Sequence, residues 1–286
     1  MIPSNTPTIL SVLAHPDDET FGMGGTLALY ARRGVQVHLV CATRGEAGDV
    51  DEIYLQKYAS VAERREAELR CAAEKLGLTS VNLLDYRDSG MPGMDANRHP
   101  AALINAPQDE VAATVVRYIR QLRPQVVLTF DPIGGYKHPD HIAIHKATVR
   151  AFELAGQADY QDGLPPFQPE RLFFHVIPKG YLRFAVRVLP LIGKDPTRFG
   201  RNGDIDLADL VESGDFPVHT VINYRPVSAV KDDASLCHAS QLPGGASLRR
   251  GPMRWAQQLF GQKEHFMQAY PPPHNGHKSH DLFTAI

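Results

Sequence analysis

The sequence predicts an α/β fold, namely a Rossmann-like, doubly wound, mainly parallel sheet with helices on both faces and a C-terminal extension. Short apolar runs alternate with segments of helical periodicity through residues 8–176. Such alternation favours parallel strands that are joined by right-handed helical crossovers. The chain has 286 residues, 43% of them hydrophobic, which is enough for one sizeable core. We therefore expect a single domain over residues 1–286.

Each predicted strand is a short apolar run that ends in polar or turn-forming residues. The run at residues 8–14, for example, stops abruptly at His15. The predicted strands are residues 8–14, 35–42, 81–84, 125–130, 172–176 and 218–223. Doubly wound folds bind their ligands outside the carboxyl ends of the strands. The polar residues that follow these runs are therefore the first candidates for a functional site.

Helices are predicted where apolar residues recur every three or four positions. The predicted helices are residues 20–33, 60–76, 110–122, 142–155, 227–237 and 255–269. Gly34 and Gly77 directly follow two of these segments, as C-terminal caps commonly do, and Pro124 closely follows a third.

The residues after about Lys179 differ in character from the first part of the chain. We interpret residues 1–180 as the Rossmann-like core and residues 181–286 as an extension that walls the pocket. The apolar stretch 184–192 is expected in the core rather than on a membrane, because Arg187 and Pro190 interrupt it. Residues 193–214 are expected to form a long excursion, and the Pro- and His-rich residues 271–280 are expected to be mobile.

Composition and charge argue against several classes of partner. A formal net charge of −2 gives no reason to expect nucleic acid or an anionic membrane. The early apolar run is too short to span a bilayer, and no signal-peptide pattern opens the chain. Cys41, Cys71 and Cys237 are far apart and odd in number, so we expect neither a disulfide framework nor a thiolate zinc site. A reducing, cytoplasmic location follows, and a homo-oligomer is compatible with the sequence.

The segments 15–19 and 138–141 together predict a metal site. A catalytic zinc site usually has three ligands of the His, Asp or Glu type and an open position for water. His15 and Asp18 lie three residues apart after one predicted strand, and His141 lies after another. We expect these three side chains to bind Zn²⁺, although the same donors also suit Fe²⁺ or Mn²⁺.

Residues next to these ligands are suited to proton transfer during amide hydrolysis. Asp17 would take a proton from water, and His138 would protonate the leaving amine or stabilise the tetrahedral intermediate. Asp140 would orient the His138 ring, and the Tyr136 hydroxyl would donate to the oxyanion. The alternatives are structural: a surface turn at His-Pro-Asp, and an N-cap with favourable dipole charges at Asp-Asp-Glu.

At these residues the sequence resembles the LmbE-like, or PIG-L, family of zinc N-deacetylases. Residues 14–19, Ala-His-Pro-Asp-Asp-Glu, match the first motif of that family, and residues 138–141, His-Pro-Asp-His, match its second. The resemblance implies that His15, Asp18 and His141 are zinc ligands. It also implies that Asp17 is the general base and that His138 is the acid or electrostatic catalyst.

Other patterns resemble the branch of the family that deacetylates a GlcNAc–inositol intermediate of mycothiol synthesis. They are Gly134-Gly135-Tyr136, Arg87-Asp88-Ser89-Gly90-Met91, Arg65-x-x-Glu68-Leu69, and the stretch from Lys231 to His238-x-Ser240-Gln241. The resemblance implies that Arg65 and Asp88 contact the sugar. The alternatives are a solvent-facing ion pair between Arg65 and Glu68, and a turn that is capped by Asp88.

Arg44 and Glu46 follow the second predicted strand, so they face the same crevice. We predict that these two side chains also contact the substrate.

The leading hypothesis is an N-deacetylase that acts on a small N-acetylglucosamine-type conjugate. An amidase for a larger thiol conjugate or another amide remains open, because both enzymes would share the reacting groups. A non-hydrolytic nucleotide-binding protein is disfavoured. The glycines of this chain at Gly22-x-Gly24-Gly25 do not fit the G-x-G-x-x-G spacing of a phosphate-binding loop. The carboxylates of residues 17–19 would also repel a phosphate.

Overall fold

The structure, a computed structural model, describes residues 6–200, 203–242, 261–273 and 278–284. Within these residues the chain forms a seven-stranded sheet in the order β3-β2-β1-β4-β5-β7-β6. The strands are β1 Thr8–Leu13, β2 Gln36–Thr43, β3 Ser80–Tyr86, β4 Val126–Phe130, β5 Arg171–His175, β6 Thr220–Asn223 and β7 Lys263–Tyr270. Strands β1 to β5 pair in parallel, and β7 runs antiparallel to both of its neighbours. The predicted α/β, mainly parallel fold is confirmed.

The helices pack in two groups against this sheet. α4 packs on α6, whereas α2, α3 and α9 contact one another. The helices are α1 Asp18–Phe21, α2 Gly24–Arg32, α3 Val61–Leu76, α4 Gln108–Leu122, α5 Gly134–Lys137, α6 Pro139–Ala155, α7 Lys179–Val188, α8 Leu207–Glu212 and α9 Ser228–Cys237.

The best-predicted elements are those with strong local signals. All six residues of β1 are buried, as the unbroken apolar run indicates. α3 begins where the Ser60 hydroxyl accepts a hydrogen bond from the Glu63 amide at 3.1 Å. It ends at Gly77, whose φ of 76° favours glycine. Cap residues therefore set both ends of this helix within one residue of the predicted bounds.

The helix predicted over residues 20–33 is instead two helices, α1 and α2, with a break at Gly22 and Met23. The cause is tertiary. The backbone amides of Gly25 and Thr26 donate to the Glu264 carboxylate, at 3.0 and 2.6 Å. A carboxylate is favoured at the positive end of a helix, so Glu264 fixes a new helix start there. No local sequence signal reports a partner that lies so far along the chain.

The prediction of a helix over residues 255–269 is wrong for residues 263–269. Residues 255–260 lie outside the described residues, and Lys263–Tyr270 form β7. Glu264, Phe266 and Gln268 are buried in alternation, which is the periodicity of a strand. β7 lies between β5 and β6 and pairs with both. Pairing on both edges explains why the strand overrides the helical pattern.

The apolar stretch at residues 184–192 is not part of the core, contrary to expectation. It spans the end of α7 and the short 3-10 helix Leu189–Ile192, and neither element has a buried residue. Phe184, Leu191 and Ile192 are 60%, 82% and 64% exposed. α7 packs mainly against α8, at the rim of the fold.

Residues 271–280 are predicted to be mobile. Residues 274–277 of this segment lie outside the described part of the chain. Ser279 pairs with the sheet edge: its amide donates to the His219 carbonyl at 2.8 Å, and its carbonyl accepts from the Val221 amide at 2.9 Å. His280 Nδ1 lies 3.1 Å from the Val221 carbonyl. Ser279 and His280 are therefore held in place.

A disulfide joins Cys71 of α3 to Cys237 of α9, so the expectation that the cysteines stay unpaired was wrong. The two residues are 166 positions apart, and only the packing of α3 against α9 brings them together. This disulfide removes the reason to expect a reducing compartment. Separately, none of the helices formed by the described residues has the length and apolarity needed to cross a membrane.

The Cys71→Ser variant is expected to lose about 2–4 kcal/mol of unfolding free energy, because the crosslink no longer constrains the unfolded chain. Cys71 is exposed, so the substitution leaves no buried cavity. Denaturant unfolding under non-reducing conditions measures the loss. A reductant should destabilise the wild-type chain and leave the variant unchanged. Titration of all three cysteines as free thiols in the unfolded, unreduced wild type would contradict the crosslink.

Candidate metal centre

The candidate site lies where two neighbouring strands end. β1 and β4 pair in parallel, with Ile9 opposite Val126. His15 and Asp18 follow β1, and His138 and His141 follow β4 at the start of α6. Parallel strands bring their carboxyl ends to one edge of the sheet, so the two motifs meet there. Helix α6 begins three residues earlier than predicted, so His141 lies in its first turn.

Three side chains converge with the spacing of metal ligands. His15 Nδ1 lies 3.2 Å from His141 Nε2. One oxygen of Asp18 lies 3.3 Å from His141 Nε2, and the other lies 3.5 Å from His15 Nδ1. Ligand atoms about 2.1 Å from a tetrahedral ion are roughly 3.4 Å apart. The donor set of two imidazoles and one carboxylate therefore fits Zn²⁺ or a similar divalent ion.

Two further combinations of side chains place their ligand atoms within 4.8 Å of one another. They are His15, His138 and His141, and His15, Asp88 and Asp140. All three combinations share His15, which makes it the centre of the cluster. The roles of the surrounding groups depend on what each ring nitrogen contacts.

The second nitrogen of each candidate histidine ligand is held by a hydrogen-bond acceptor. His141 Nδ1 lies 3.1 Å from the Gly134 carbonyl, which leaves Nε2 free of its proton for a metal. His15 Nε2 lies 3.1 Å from Asp140 and 3.3 Å from Asp88. Gly134 is required at its position, because a Cβ there would lie 2.8 Å from the His141 Cβ.

Asp140 therefore acts on a different ring from the one predicted. Its carboxylate contacts His15 and accepts from the Ser89 amide at 2.9 Å, and it is fully buried. Only its backbone amide reaches His138, donating to Nδ1 at 3.2 Å. The His138 ring is thus oriented by a backbone amide of α6 and not by the Asp140 carboxylate, because His138 is the N-cap of that helix.

The charges in the cluster stabilise one another. Burial opposes ionisation of His15, but Asp88, Asp140 and Asp18 raise its pKa well above the ordinary value. Burial also opposes ionisation of Asp18, yet His141 and His15 hold its pKa well below the usual range. Such a pocket of buried carboxylates favours a positive charge beside them, which is the property a cation site needs.

Asp17 lies between the candidate ligands in a strained turn. Its φ of 111° is unusual for a residue with a side chain. Burial raises its pKa to about 6, against the opposing charge of Arg65. Arg65 Nη2 donates to the Asp17 carboxylate at 3.0 Å, and Nη1 donates to the Gly45 carbonyl at 2.9 Å. A side chain at Gly45 would collide with this guanidinium, because its Cβ would lie 1.9 Å from Nη1.

The alternative of a solvent-facing pair between Arg65 and Glu68 is excluded. The two residues are 4% and 3% exposed, so neither faces solvent. Glu68 pairs instead with Arg64 at 2.7 Å and with Ser240, whose hydroxyl donates at 2.6 Å.

His138 and Tyr136 lie beside the cluster with a proton available to donate. His138 Nδ1 accepts from the backbone, so its neutral ring carries the proton on Nε2. Burial and the neighbouring rings of His15 and His141 lower its pKa well below the ordinary value. Burial raises the pKa of Tyr136, so its hydroxyl stays protonated. The Tyr136 ring centroid lies 5.0 Å from that of His141.

Of the remaining predicted residues, Asp88 contacts the cluster, whereas Glu46 and Arg44 do not. Asp88 reaches His15 and also caps its own turn, accepting from the Gly90 amide at 2.8 Å. Glu46 accepts from the Asp88 amide at 3.0 Å, which makes it a support for Asp88. Arg44 pairs with Glu66 at 2.7 Å and with Asp85. The predicted substrate contacts of Arg44 and Glu46 gain no support from these positions.

One functional pair, Glu19 with His238, was not predicted. Glu19 accepts from the Asp17 amide at 2.9 Å and lies 2.7 Å from His238 Nε2. Both residues are fully buried. The sequence places Glu19 in the first motif, without a partner, and His238 in a C-terminal pattern, without a role. The two signals that point to this contact are the motif that contains Glu19 and the pattern that contains His238 and Ser240.

Two cavities meet at the cluster. The first, of about 150 Å³, is lined by His15, Asp17, Arg65, Asp88, Tyr136 and His138 among others. The second, of about 590 Å³, also reaches Asp17 and Tyr136, but it extends past Asp18 and His141 towards β5 and β7. The candidate metal ligands thus lie where a small cavity of mixed polar and apolar lining joins a larger one.

The family described as PIG-L, GlcNAc-PI de-N-acetylase, matches residues 10–152 of the chain. A Rhodococcus jostii (strain RHA1) protein, named 1D-myo-inositol 2-acetamido-2-deoxy-alpha-D-glucopyranoside deacetylase, is 39% identical over 250 residues. The match covers 82% of this chain and 81% of that protein.

Solved structures share the fold at lower identity. The N,N'-diacetylchitobiose deacetylase of Pyrococcus horikoshii has a TM-score of 0.62 at 20% identity, over 92% of this chain and 84% of that one. GalB, the 4-carboxy-2-hydroxymuconate hydratase of Pseudomonas putida KT2440, has a TM-score of 0.61 at 19% identity, over 94% and 99%. A deacetylase and a hydratase share this architecture, so the fold alone does not define the activity. The family match and the Rhodococcus relative do define the lineage: the chain belongs to the PIG-L family.

Proposed function

We propose that this chain is a metal-dependent hydrolase that removes the N-acetyl group from an N-acetylglucosamine-type conjugate, with an inositol conjugate as the first candidate. As a member of the PIG-L family it is a hydrolase of N-acetyl amide bonds. The observation that carries the proposal is the meeting of His15, Asp18 and His141 at ligand spacing, with Asp17 directly beside them.

His15, Asp18 and His141 are the proposed ligands, because the carboxylate and both ring nitrogens point at one another while the outer ring nitrogens are occupied. His138 is better suited to the substrate, since its proton-bearing Nε2 is not used by the protein backbone. A bound Zn²⁺ would lower the pKa of a water molecule and polarise the amide carbonyl, and Fe²⁺ would serve in the same way.

Asp17 is the proposed general base. Its carboxylate lies beside the ligands and at the junction of the two cavities. A base must lie within hydrogen-bond reach of the attacking water, and Arg65 holds the Asp17 carboxylate in one orientation at 3.0 Å. Glu19 fixes the backbone of the same residue from the other side.

His138 is the proposed donor to the departing amine, and Tyr136 is the proposed donor to the developing oxyanion. Both carry a proton at neutral pH, since His138 keeps one on Nε2 and the Tyr136 hydroxyl is un-ionised. The water oxygen bonds to the acyl carbon, the C–N bond breaks, and a carboxylate and an amine leave.

Arg65 and Asp88 are the proposed contacts for sugar hydroxyls, since both line the first cavity beside His138. Asp88 retains charge there because burial is outweighed by His15 and by the Gly90 amide, which lower its pKa. An ionised carboxylate and a guanidinium together offer both an acceptor and donors for hydroxyl groups.

The nucleotide-binding alternative is disfavoured by the start of α2. The Gly25 and Thr26 amides, which would have to hold a phosphate, already donate to the Glu264 carboxylate. Cytoplasmic location, a homo-oligomer and the absence of nucleic-acid or membrane partners remain predictions.

Purified, metal-loaded protein is expected to release acetate and free amine from the N-acetylglucosamine–inositol conjugate. N-Acetylglucosamine itself and its malate conjugate are compared under the same conditions, with acetate measured by a coupled assay. The inositol conjugate should have the highest kcat/KM. Absence of acetate release from all three compounds by zinc-, iron- and manganese-loaded protein would reject the proposal.

The Asp17→Asn variant is expected to retain metal and to lose about 10²–10⁴-fold in kcat, because the amide cannot accept the proton of the attacking water. Metal content by mass spectrometry and acetate release are measured on the same sample. Asp18→Asn is the matched control, and it should lose metal as well as turnover. Wild-type turnover by a metal-replete Asp17→Asn protein would eliminate Asp17 as the base.

The His238→Ala variant is expected to lower kcat about 10–100-fold with little change in KM, because Glu19 no longer holds the Asp17 backbone in place. His238→Gln retains an N–H donor towards Glu19 and should restore most of the loss.

The control for this variant is His38→Ala. His38 is also buried, but it contacts Ser80 at 2.8 Å on the far side of β2 and does not line either cavity. It should lose stability while keeping kcat within about twofold of wild type, since a buried contact is lost away from the site. Equal kcat losses for His38→Ala and His238→Ala would show that the effect is only structural.

A further inference from the structure

The second cavity has a character different from the first. Apolar and aromatic side chains form much of its wall, namely Phe21, Met23, Phe130, Ile177, Tyr181 and Tyr224. At about 590 Å³ it has the size of a site for a drug-sized molecule. The methyl of an acetyl group occupies roughly the volume of one water molecule, about 30 Å³. An acetyl group therefore accounts for little of this space.

The second cavity has charged side chains at Asp17, Asp18 and the exposed Lys263, whereas its other ionisable groups are neutral or paired at neutral pH. Burial lowers the pKa of His175 to about 4 and also lowers the pKa of His265, so both rings are neutral. The Lys231 ammonium is paired with the Glu264 carboxylate at 2.7 Å. Apart from Asp17, Asp18 and Lys263 the wall is largely apolar, which favours an uncharged apolar group over a sugar or a phosphate.

The positions of the proposed catalytic groups orient the scissile amide between the two cavities. His138, the proposed donor to the amine, lines the first cavity together with Arg65 and Asp88. Of the proposed metal ligands, His15 lines the first cavity, whereas Asp18 and His141 line the second. Asp17 and Tyr136 line both. The amine-bearing half of the substrate thus belongs to the first cavity, and the acyl half faces the second.

We propose that the second cavity is an acyl-binding subsite, and that the chain hydrolyses, in addition to N-acetyl amides, amides of amino sugars with longer unbranched or aromatic acyl groups. This inference rests on the proposed function. It assigns the larger part of the cleft to the acyl side of the bond and names the substrates as N-acyl amino sugars with apolar acyl groups.

The expected effect follows from burial of methylene groups. Each buried methylene contributes about fourfold in binding. With one amino sugar kept constant, kcat/KM should rise at least about tenfold from the N-acetyl to the N-hexanoyl substrate, mostly through a lower KM. The measurement is amine release for acetyl, butyryl, hexanoyl and benzoyl derivatives. A hexanoyl kcat/KM that is less than tenfold above the acetyl value, or below it, would overturn the proposal.

A cavity-filling variant tests which residues form the subsite. Ile177 is 39% exposed and lines the second cavity, so Ile177→Trp occupies part of its space. We expect hexanoyl kcat/KM to fall at least tenfold while acetyl kcat/KM stays within twofold. The matched control is Ile53→Trp, at a residue 69% exposed that lines neither cavity, and it should change neither value. Equal losses on both substrates, or none, would overturn the assignment.

Two further measurements keep the cavity and the proposed function separate. Hexanoate should bind the metal-free protein at least tenfold more tightly than acetate by calorimetry, and Ile177→Trp should abolish that difference. This readout needs no turnover, so it tests the cavity even if the proposed activity fails. A second substrate series keeps the acetyl group and varies the aglycone from methyl to phenyl. If kcat/KM rises only in the aglycone series, the second cavity binds the aglycone of the sugar, and its assignment to the acyl group is rejected.

Discussion

The parallel pairing of β1 with β4 brings together His15 and His141, which are 126 residues apart in the sequence. Each strand ends in a segment that supplies part of the donor set, and neither segment is sufficient alone. The pairing also brings Asp17 and His138 to the wall of the same cavity. A slip of one residue in this register would rotate one segment away from the other, so the buried apolar side chains of both strands indirectly set the spacing of the ligands.

The site is built from charges that would be costly if they were unpaired. His15 and Asp140 are buried, the Asp18 side chain is 9% exposed, and each contacts at least one oppositely charged or hydrogen-bonding group. Glu19 and His238 form a second buried pair, which lies behind Asp17. Removal of one member of a buried pair leaves the other as an uncompensated charge, which is strongly destabilising. The residues behind the ligands are therefore as tightly constrained as the ligands themselves.

Much of the core and the proposed ligand set could be predicted from the sequence, because both depend on local signals. The buried run of β1, the caps of α3 and the two metal motifs are each contained in a short segment. Three of the failures share a cause, which is partners that lie far along the chain. β7 was assigned to a helix because its two neighbouring strands are not visible locally. Asp140 was assigned to His138, two residues away, whereas its carboxylate contacts His15 on another strand. The Cys71–Cys237 bond depends on the packing of α3 against α9, which no spacing rule reports.

The contact between Glu19 and His238 spans 219 residues, and β7 enters the interior of the sheet from still later in the chain. Residues 10–152 include the proposed ligands and proton-transfer groups, but not the partner of Glu19 or the carboxylate that caps α2. During synthesis, the ribosome therefore releases the metal motifs long before the residues that brace them. A nascent chain that has completed only the family segment would lack the bracing of the Asp17 turn. The motif at residues 15–19 and the start of α2 therefore gain these contacts only after His238 and Glu264 have been synthesised.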